Sequence, residues 1–158
     1  MGIVSQTVLI GRPPEVVYDL AWRPERATDW IAGMVATGNV QPGDPATGLG
    51  CRFDWTYRMA GLTYRGQNQI VEARRPLRLR EESSGDLVST WDWRFEPDEG
   101  GTRVHLTVTY TPPLGWLGRL LDPLLLHRLN QRALNDTLSN LKRLLELEIG
   151  QDLQDLQD

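Results

Sequence analysis

From Met34 to Thr111 apolar and polar residues alternate in short runs. After Pro112-Pro113 the spacing changes once, to that of a helix, and keeps that period to Ile149. A strand turns successive side chains to opposite faces, so a period of two marks half-buried strands. A period of 3.6 marks an amphipathic helix. An antiparallel sheet with one apolar face needs a cover, and the long C-terminal helix is the only later element large enough to supply it. The pattern therefore predicts an α+β fold: a seven-stranded curved antiparallel sheet wrapped around a long C-terminal helix.

The elements can be placed along the chain. Ile3 to Ile10 reads as a first strand, with Val4, Val8 and Ile10 on one parity. Pro13-Pro14-Glu15 opens a helix: proline suits the first turn and a carboxylate suits the helix N-terminus. Pro24 starts a second short helix that reaches Trp30, so two short helices lie between strands 1 and 2. Met34 to Val40 is a strand, and Gln41 to Gly50, with two Pro and three Gly, is a loop. Cys51 to Met59, Leu62 to Ala73, Leu77 to Ser83, Leu87 to Phe95 and Thr102 to Thr111 supply the remaining strands. Leu62, Tyr64 and Ile70 share a face that Val71 does not, so a bulge would reverse part of that strand. Asp122-Pro123 is a good cap and first residue for a helix ending at Gly150. Residues 1–150 read as one domain and 151–158, a Gln-Asp-Leu repeat, as a frayed tail.

Net charge of −4 argues against a nucleic-acid partner, which would need surplus Lys and Arg. The single cysteine, Cys51, excludes an intrachain disulfide and fits a reducing cytoplasm. The first residues do not read as a signal peptide, and no apolar run is long enough to span a membrane. The two His and one Cys lack ligand spacing, so no metal is expected. No phosphate-cradling glycine loop follows a strand, and no cofactor is expected.

Several stretches, in order, resemble the START-like (SRPBCC) superfamily, in particular its bacterial polyketide cyclase/dehydrase-like branch. They are Ile10-Gly11-Arg12-Pro13-Pro14-Glu15-Val16-Val17-Tyr18-Asp19, Trp30, Gly48-Leu49-Gly50, Val71-Glu72-Ala73-Arg74-Arg75-Pro76, Gly100-Gly101-Thr102-Arg103-Val104 and Leu141-Lys142-Arg143-Leu144-Leu145-Glu146. The resemblance implies a helix-grip fold with a cavity between sheet and helix. It does not fix one activity, since members bind lipids, hormones and aromatic intermediates or act on them.

Phe53, Trp55, Tyr57, Tyr64, Trp91, Trp93, Phe95 and Tyr110 share the inward parity of their strands. They either line a ligand site or fill the core. Counting by alternating fours and threes gives the long helix an inward stripe of Leu120, Leu124, His127, Gln131, Leu134, Leu138, Leu141 and Leu145. His127 and Gln131 on that stripe would fix a polar group of the ligand; a kink at Pro123 would instead turn His127 to solvent. Asn68 and Glu81 also take inward parity. Glu81 and His127 would make an acid/base pair if they met. His105 faces outward, and Cys51 reads as a buried structural thiol. Outward Arg52, Arg58, Arg78, Arg80, Arg94 and Arg103 intermix with Asp54, Glu82, Asp92 and Glu96 as ion pairs on a wet face.

Three readings remain open. The first is a carrier or sensor of a small hydrophobic or aromatic ligand, lined by Trp55, Tyr57, Tyr64, Asn68, Trp91, Trp93, Tyr110, His127 and Gln131. The second is a cyclase or dehydratase using Glu81, His127 or a tyrosine hydroxyl. The third is an interaction module, or homodimer, built on the excess apolar residues Leu114, Trp116, Leu117, Leu121, Leu125, Leu126 and Leu129.

Overall fold

The computed structural model describes residues 1–112 and 122–157, with the side chains of 150 and 153 left aside. The order is β1 (Gly2–Ile10), α1 (Pro14–Ala21), a 3₁₀ turn (Pro24–Arg26), α2 (Ala27–Trp30), then six strands. These are β2 (Met34–Gln41), β3 (Arg52–Met59), β4 (Leu62–Arg74), β5 (Arg78–Gly85), β6 (Val88–Asp98) and β7 (Gly101–Thr111). The long helix α3 spans Pro123–Asp155, about 50 Å at 1.5 Å per residue. All strand pairings are antiparallel, in the order β1-β7-β6-β5-β4-β3-β2. The expected α+β architecture is the one observed.

Local chemistry explains the element ends. Met59 pairs with Leu62, so Ala60-Gly61 is a two-residue hairpin turn, and both residues have positive φ, 52° and 78°. Such a turn matches the twist of the flanking strands. At the start of α3 the Asp122 carboxylate accepts the Leu124 N–H at 2.7 Å, ahead of Pro123. Gly150 does not end this helix, contrary to expectation. An interior glycine costs only about 1 kcal/mol against alanine, too little to stop a helix that is already propagating.

The core lies between the concave sheet face and the helices. Trp93 and Phe95 stack with centroids 5.7 Å apart, Trp30 of α2 meets Trp93 edge-on at 5.8 Å, and Tyr18 of α1 meets Phe95 edge-on at 5.5 Å. From α3, Leu134, Leu138, Leu141 and Leu145 enter the same core. The helix is also tied to β1, an edge strand with free backbone carbonyls. The Gln131 amide donates to the Ser5 carbonyl at 3.1 Å, and the Lys142 ammonium donates to the Leu9 carbonyl at 2.5 Å.

Among the described residues, Arg80–Asp92 at 3.8 Å is the cross-strand carboxylate–guanidinium pair the outward set makes, while Arg103 turns to Asp98 at the hairpin. Exposed pairs of this kind contribute little stability.

Gly66 of β4 pairs with Gly85 of β5, and the Trp55 indole of β3 lies over Gly66. A side chain at Gly66 would run into the Ser84 carbonyl oxygen and that indole. Gly66→Ala is therefore expected to cost about 2–3 kcal/mol, as overpacking does. Urea denaturation checks this, and an unchanged midpoint would contradict the described packing of Trp55.

Candidate functional site

Alternation along β3 to β7 builds one wall of a cavity of about 110 Å³ between sheet and helices. Phe53, Trp55, Tyr57 and Met59 come from β3, Trp91 from β6, and Val108 and Tyr110 from β7. Ile31 and Met34 close one side, and Leu126 and Asn130 of α3 close another. A smaller space of about 40 Å³ continues beneath α3, sharing Tyr57, Trp91, Val108 and Asn130 with the first. Trp55 is buried in this wall, and its indole N–H has no acceptor among the described residues.

One polar cluster interrupts the apolar wall. Asn68 of β4 and Ser83 of β5 face each other across the ladder, and Glu81 lies two residues from Ser83 on the same face. Val71 is the extra residue of a bulge between Ile70 and Glu72, the reversal anticipated for this strand. Because of the bulge, Ile70 stands opposite Glu81 while Ala73 still meets Leu79 inward. The Glu81 carboxyl accepts the Asn68 amide N–H at 3.1 Å and the Trp93 indole N–H at 3.0 Å. The Ser83 hydroxyl donates to the Asn68 carbonyl oxygen at 2.9 Å.

Glu81 is only 7% exposed, and no described Arg, Lys or His pairs with it. Burial pushes its carboxyl up from an ordinary 4.5 to about 7, while the Trp93 and Asn68 hydrogen bonds pull the other way. The outcome is an acid that changes protonation near neutrality inside an apolar cavity.

The structure sorts the expected site residues into three groups. Trp55, Tyr57, Asn68, Trp91 and Tyr110 line the cavity together with Glu81. Tyr64 and Trp93 do not: both are buried in the core, Trp93 behind Glu81 as its hydrogen-bond donor. Burial raises the Tyr64 phenol above its usual range, and its hydroxyl has no partner among the described residues.

His127 and Gln131 belong to neither group. His127 is exposed, and its Nδ1 lies 3.5 Å from the Tyr110 hydroxyl. Gln131 is bound to β1 as described above. Glu81 and His127 share no hydrogen-bond partner, so the anticipated acid/base pair does not form. Leu124, expected inward, is 59% exposed.

The cause is the direction of the buried row. Leu126, Asn130, Leu134 and Leu138 step by four, along a ridge that winds round the helix. An alternating four-three count follows the axis instead, and it fails in the N-terminal half of α3. It missed Asn130, which a step of four back from Leu134 would have found. Ser83 was missed although it shares the parity of Glu81.

The leucine-rich segment is only partly visible. Leu114, Trp116, Leu117, Leu120 and Leu121 fall outside the described residues. Of the others, Leu125 is exposed, Leu126 lines the cavity and Leu129 packs against the core. Among the described residues, no helix is long and apolar enough to cross a membrane.

Protonation of Glu81 links stability to pH. Below about pH 4.5 folded and unfolded chains both hold the proton. Between about 4.5 and 7 only the folded chain holds it, so stability falls as pH rises. Above about pH 7 the full cost, about 3 kcal/mol, is in place. Glu81→Gln lacks this dependence. Its stability relative to the parent is expected to rise by about 3 kcal/mol from pH 4 to pH 8 in urea titrations. A pH-independent difference would contradict the buried carboxyl.

Solved structures share this architecture. TTHA0849 from Thermus thermophilus superposes with a TM-score of 0.79 at 28% identity, over 93% of this chain and 99% of that one. A START superfamily protein from Mycobacterium smegmatis gives 0.77 at 11% identity, over 92% and 97%. The ZhuI aromatase/cyclase from Streptomyces sp. R1128 gives 0.75 at 15% identity, over 94% and 95%. At the two lower identities the likeness is one of fold. No curated protein matches in sequence. The family model described as polyketide cyclase / dehydrase and lipid transport matches residues 1–146. By that match across nearly its whole length, the chain belongs to the polyketide cyclase/dehydrase and lipid-transport family.

Proposed function

We propose that the chain binds a small hydrophobic or aromatic molecule in the cavity under α3, as a carrier or sensor. The observation that carries this reading is the wall itself. Aromatic rings on the strands border a space not filled by their own side chains, with one buried polar cluster to orient an occupant. Family membership supports it, since the matched family covers lipid transport as well as cyclisation.

A second reading, a cyclase or dehydratase, rests on Glu81 alone. A cavity carboxyl that titrates near neutrality is matched to proton transfer at working pH. His127 does not complete it, and no other His, Lys or Arg lines the cavity among the described residues. Any such chemistry would run through that carboxyl and a lining tyrosine hydroxyl, Tyr57 or Tyr110, with substrate shape held by the rings.

Native mass spectrometry of the purified chain, followed by denaturing extraction, tests the binding reading. The expected result is a small non-covalent adduct, released on unfolding and apolar in chemistry, in keeping with a cavity of about 110 Å³ lined mainly by apolar and aromatic side chains. An empty protein whose melting temperature no neutral aromatic, sterol or lipid probe raises would contradict it. If the extracted molecule is transformed on re-incubation with parent protein but not with Glu81→Gln, the enzymatic reading replaces the carrier.

A further inference from the structure

We infer that Glu81 and Asn68 form a two-donor anchor in the cavity wall, selecting ligands that present one uncharged acceptor oxygen, such as a ketone, and rejecting carboxylate anions. This deepens the binding reading and rests on it.

The argument is a count of hydrogen-bonding capacity. Each Glu81 oxygen already accepts an N–H from the protein, from Asn68 at 3.1 Å and from Trp93 at 3.0 Å. The donor that a neutral carboxyl adds beside these two contacts is its O–H. Asn68 gives one amide hydrogen to Glu81 and keeps a second, while its own oxygen accepts one hydrogen bond from Ser83. The pair therefore offers two uncommitted donors on adjacent side chains of β4 and β5, in a wall whose other polar side chains are neutral, Ser83, Ser89, Thr111 and Asn130 beside the Tyr57 and Tyr110 rings. A carbonyl oxygen accepts two hydrogen bonds and completes both. A ligand with only donor groups leaves both donors unpaired, and an unpaired buried polar group is destabilising.

Charge argues the same way. The titratable groups facing Glu81 are Tyr18 from α1, Cys51 at the entry to β3, Tyr57 from β3 and Tyr110 from β7. Burial raises Tyr18 to about 12 and lifts Cys51 and Tyr57 above their usual ranges. The β4 and β6 neighbours, Ile70, Trp91 and Trp93, are uncharged, and α3 contributes Leu126 and Asn130. His127 contacts the Tyr110 hydroxyl at 3.5 Å and is not among the lining residues. With no cation among the described lining residues, an anionic headgroup would be buried without a counter-charge, beside a carboxyl that itself ionises near neutrality.

Four naphthalenes of similar shape test this by equilibrium dialysis against the full chain at pH 6, 7 and 8. They are 2-acetylnaphthalene, 2-isopropenylnaphthalene, 1-(2-naphthyl)ethylamine and 2-naphthoate. If only protonated Glu81 holds the ketone, its affinity falls about tenfold from pH 6 to pH 8. The oxygen-free 2-isopropenylnaphthalene binds with no pH slope and at least about fivefold more weakly than the ketone at pH 6. Naphthoate binds more weakly still. Glu81→Gln, which keeps an N–H donor in the same shape, flattens the ketone slope while retaining binding.

Equal, pH-independent binding of ketone and hydrocarbon overturns the anchor and leaves the cavity reading standing. An amine that binds most tightly, and more so as pH rises, overturns it in favour of a cation site. Naphthoate binding as tightly as the ketone also overturns it. A ketone slope that persists in Glu81→Gln assigns the titration to another group and overturns the role of Glu81. Should that variant fail to fold, the opposed slopes of ketone and amine on the parent chain decide between the two. If none of the four binds, the cavity reading fails and the anchor falls with it.

Discussion

Removal of the concave sheet face from water holds α3 in place, and the rest of the molecule is arranged around that contact. The face carries Val4, Ile10, Phe53, Trp93, Phe95, Val104 and Leu106, all buried, and Leu134, Leu138, Leu141 and Leu145 cover it from the helix side. Burial of apolar surface is non-directional and does not by itself choose where the helix lies. Polar contacts make that choice. Gln131 and Lys142 bind backbone carbonyls of β1, Thr137 accepts the Ala32 N–H at 3.0 Å, and Asn140 donates to the Trp30 carbonyl at 3.2 Å. The helix is thus fastened to the edge strand and to the end of α2, leaving the space over β3 to β7 for the cavity.

Within that space Glu81 is the element that hydrophobic packing would not select. Two N–H donors support it, and no described cation does. A leucine there would bury more apolar surface and leave no charge to solvate. The glutamate costs stability above neutral pH, where its buried carboxyl ionises. The adjacent bulge at Val71 and the glycine pair Gly66–Gly85 fit the same account: each departs from regular strand geometry beside the cavity wall.

The sheet was legible in the sequence because alternation is a local signal. Cys51 to Met59 and Leu87 to Phe95 show which residues face inward without reference to any other strand. The site was legible only in part. Parity put Trp93 and Tyr64 on the inner face, but whether an inward ring fills the core or lines a space depends on what packs against it. Trp30 of α2 and Phe95 take Trp93 into the core; among the described residues Trp91 has no such pair of rings and lines the cavity. Helix phase was legible from Leu134 to Leu145 and lost toward Leu124, because the direction of a buried row depends on the surface it crosses. The identity of Glu81 as an inward carboxyl followed from parity; its partners, Asn68 and Trp93 on neighbouring strands, followed only from the register.

The measurement that bears most directly on this account is a ¹³C NMR titration of the glutamate side-chain carboxyls. One resonance should titrate near pH 7, well apart from the others, and be missing in Glu81→Gln. If every glutamate carboxyl titrates near its ordinary value of about 4.5, Glu81 is solvated, and the buried Glu81–Asn68–Trp93 cluster is not the structure in solution.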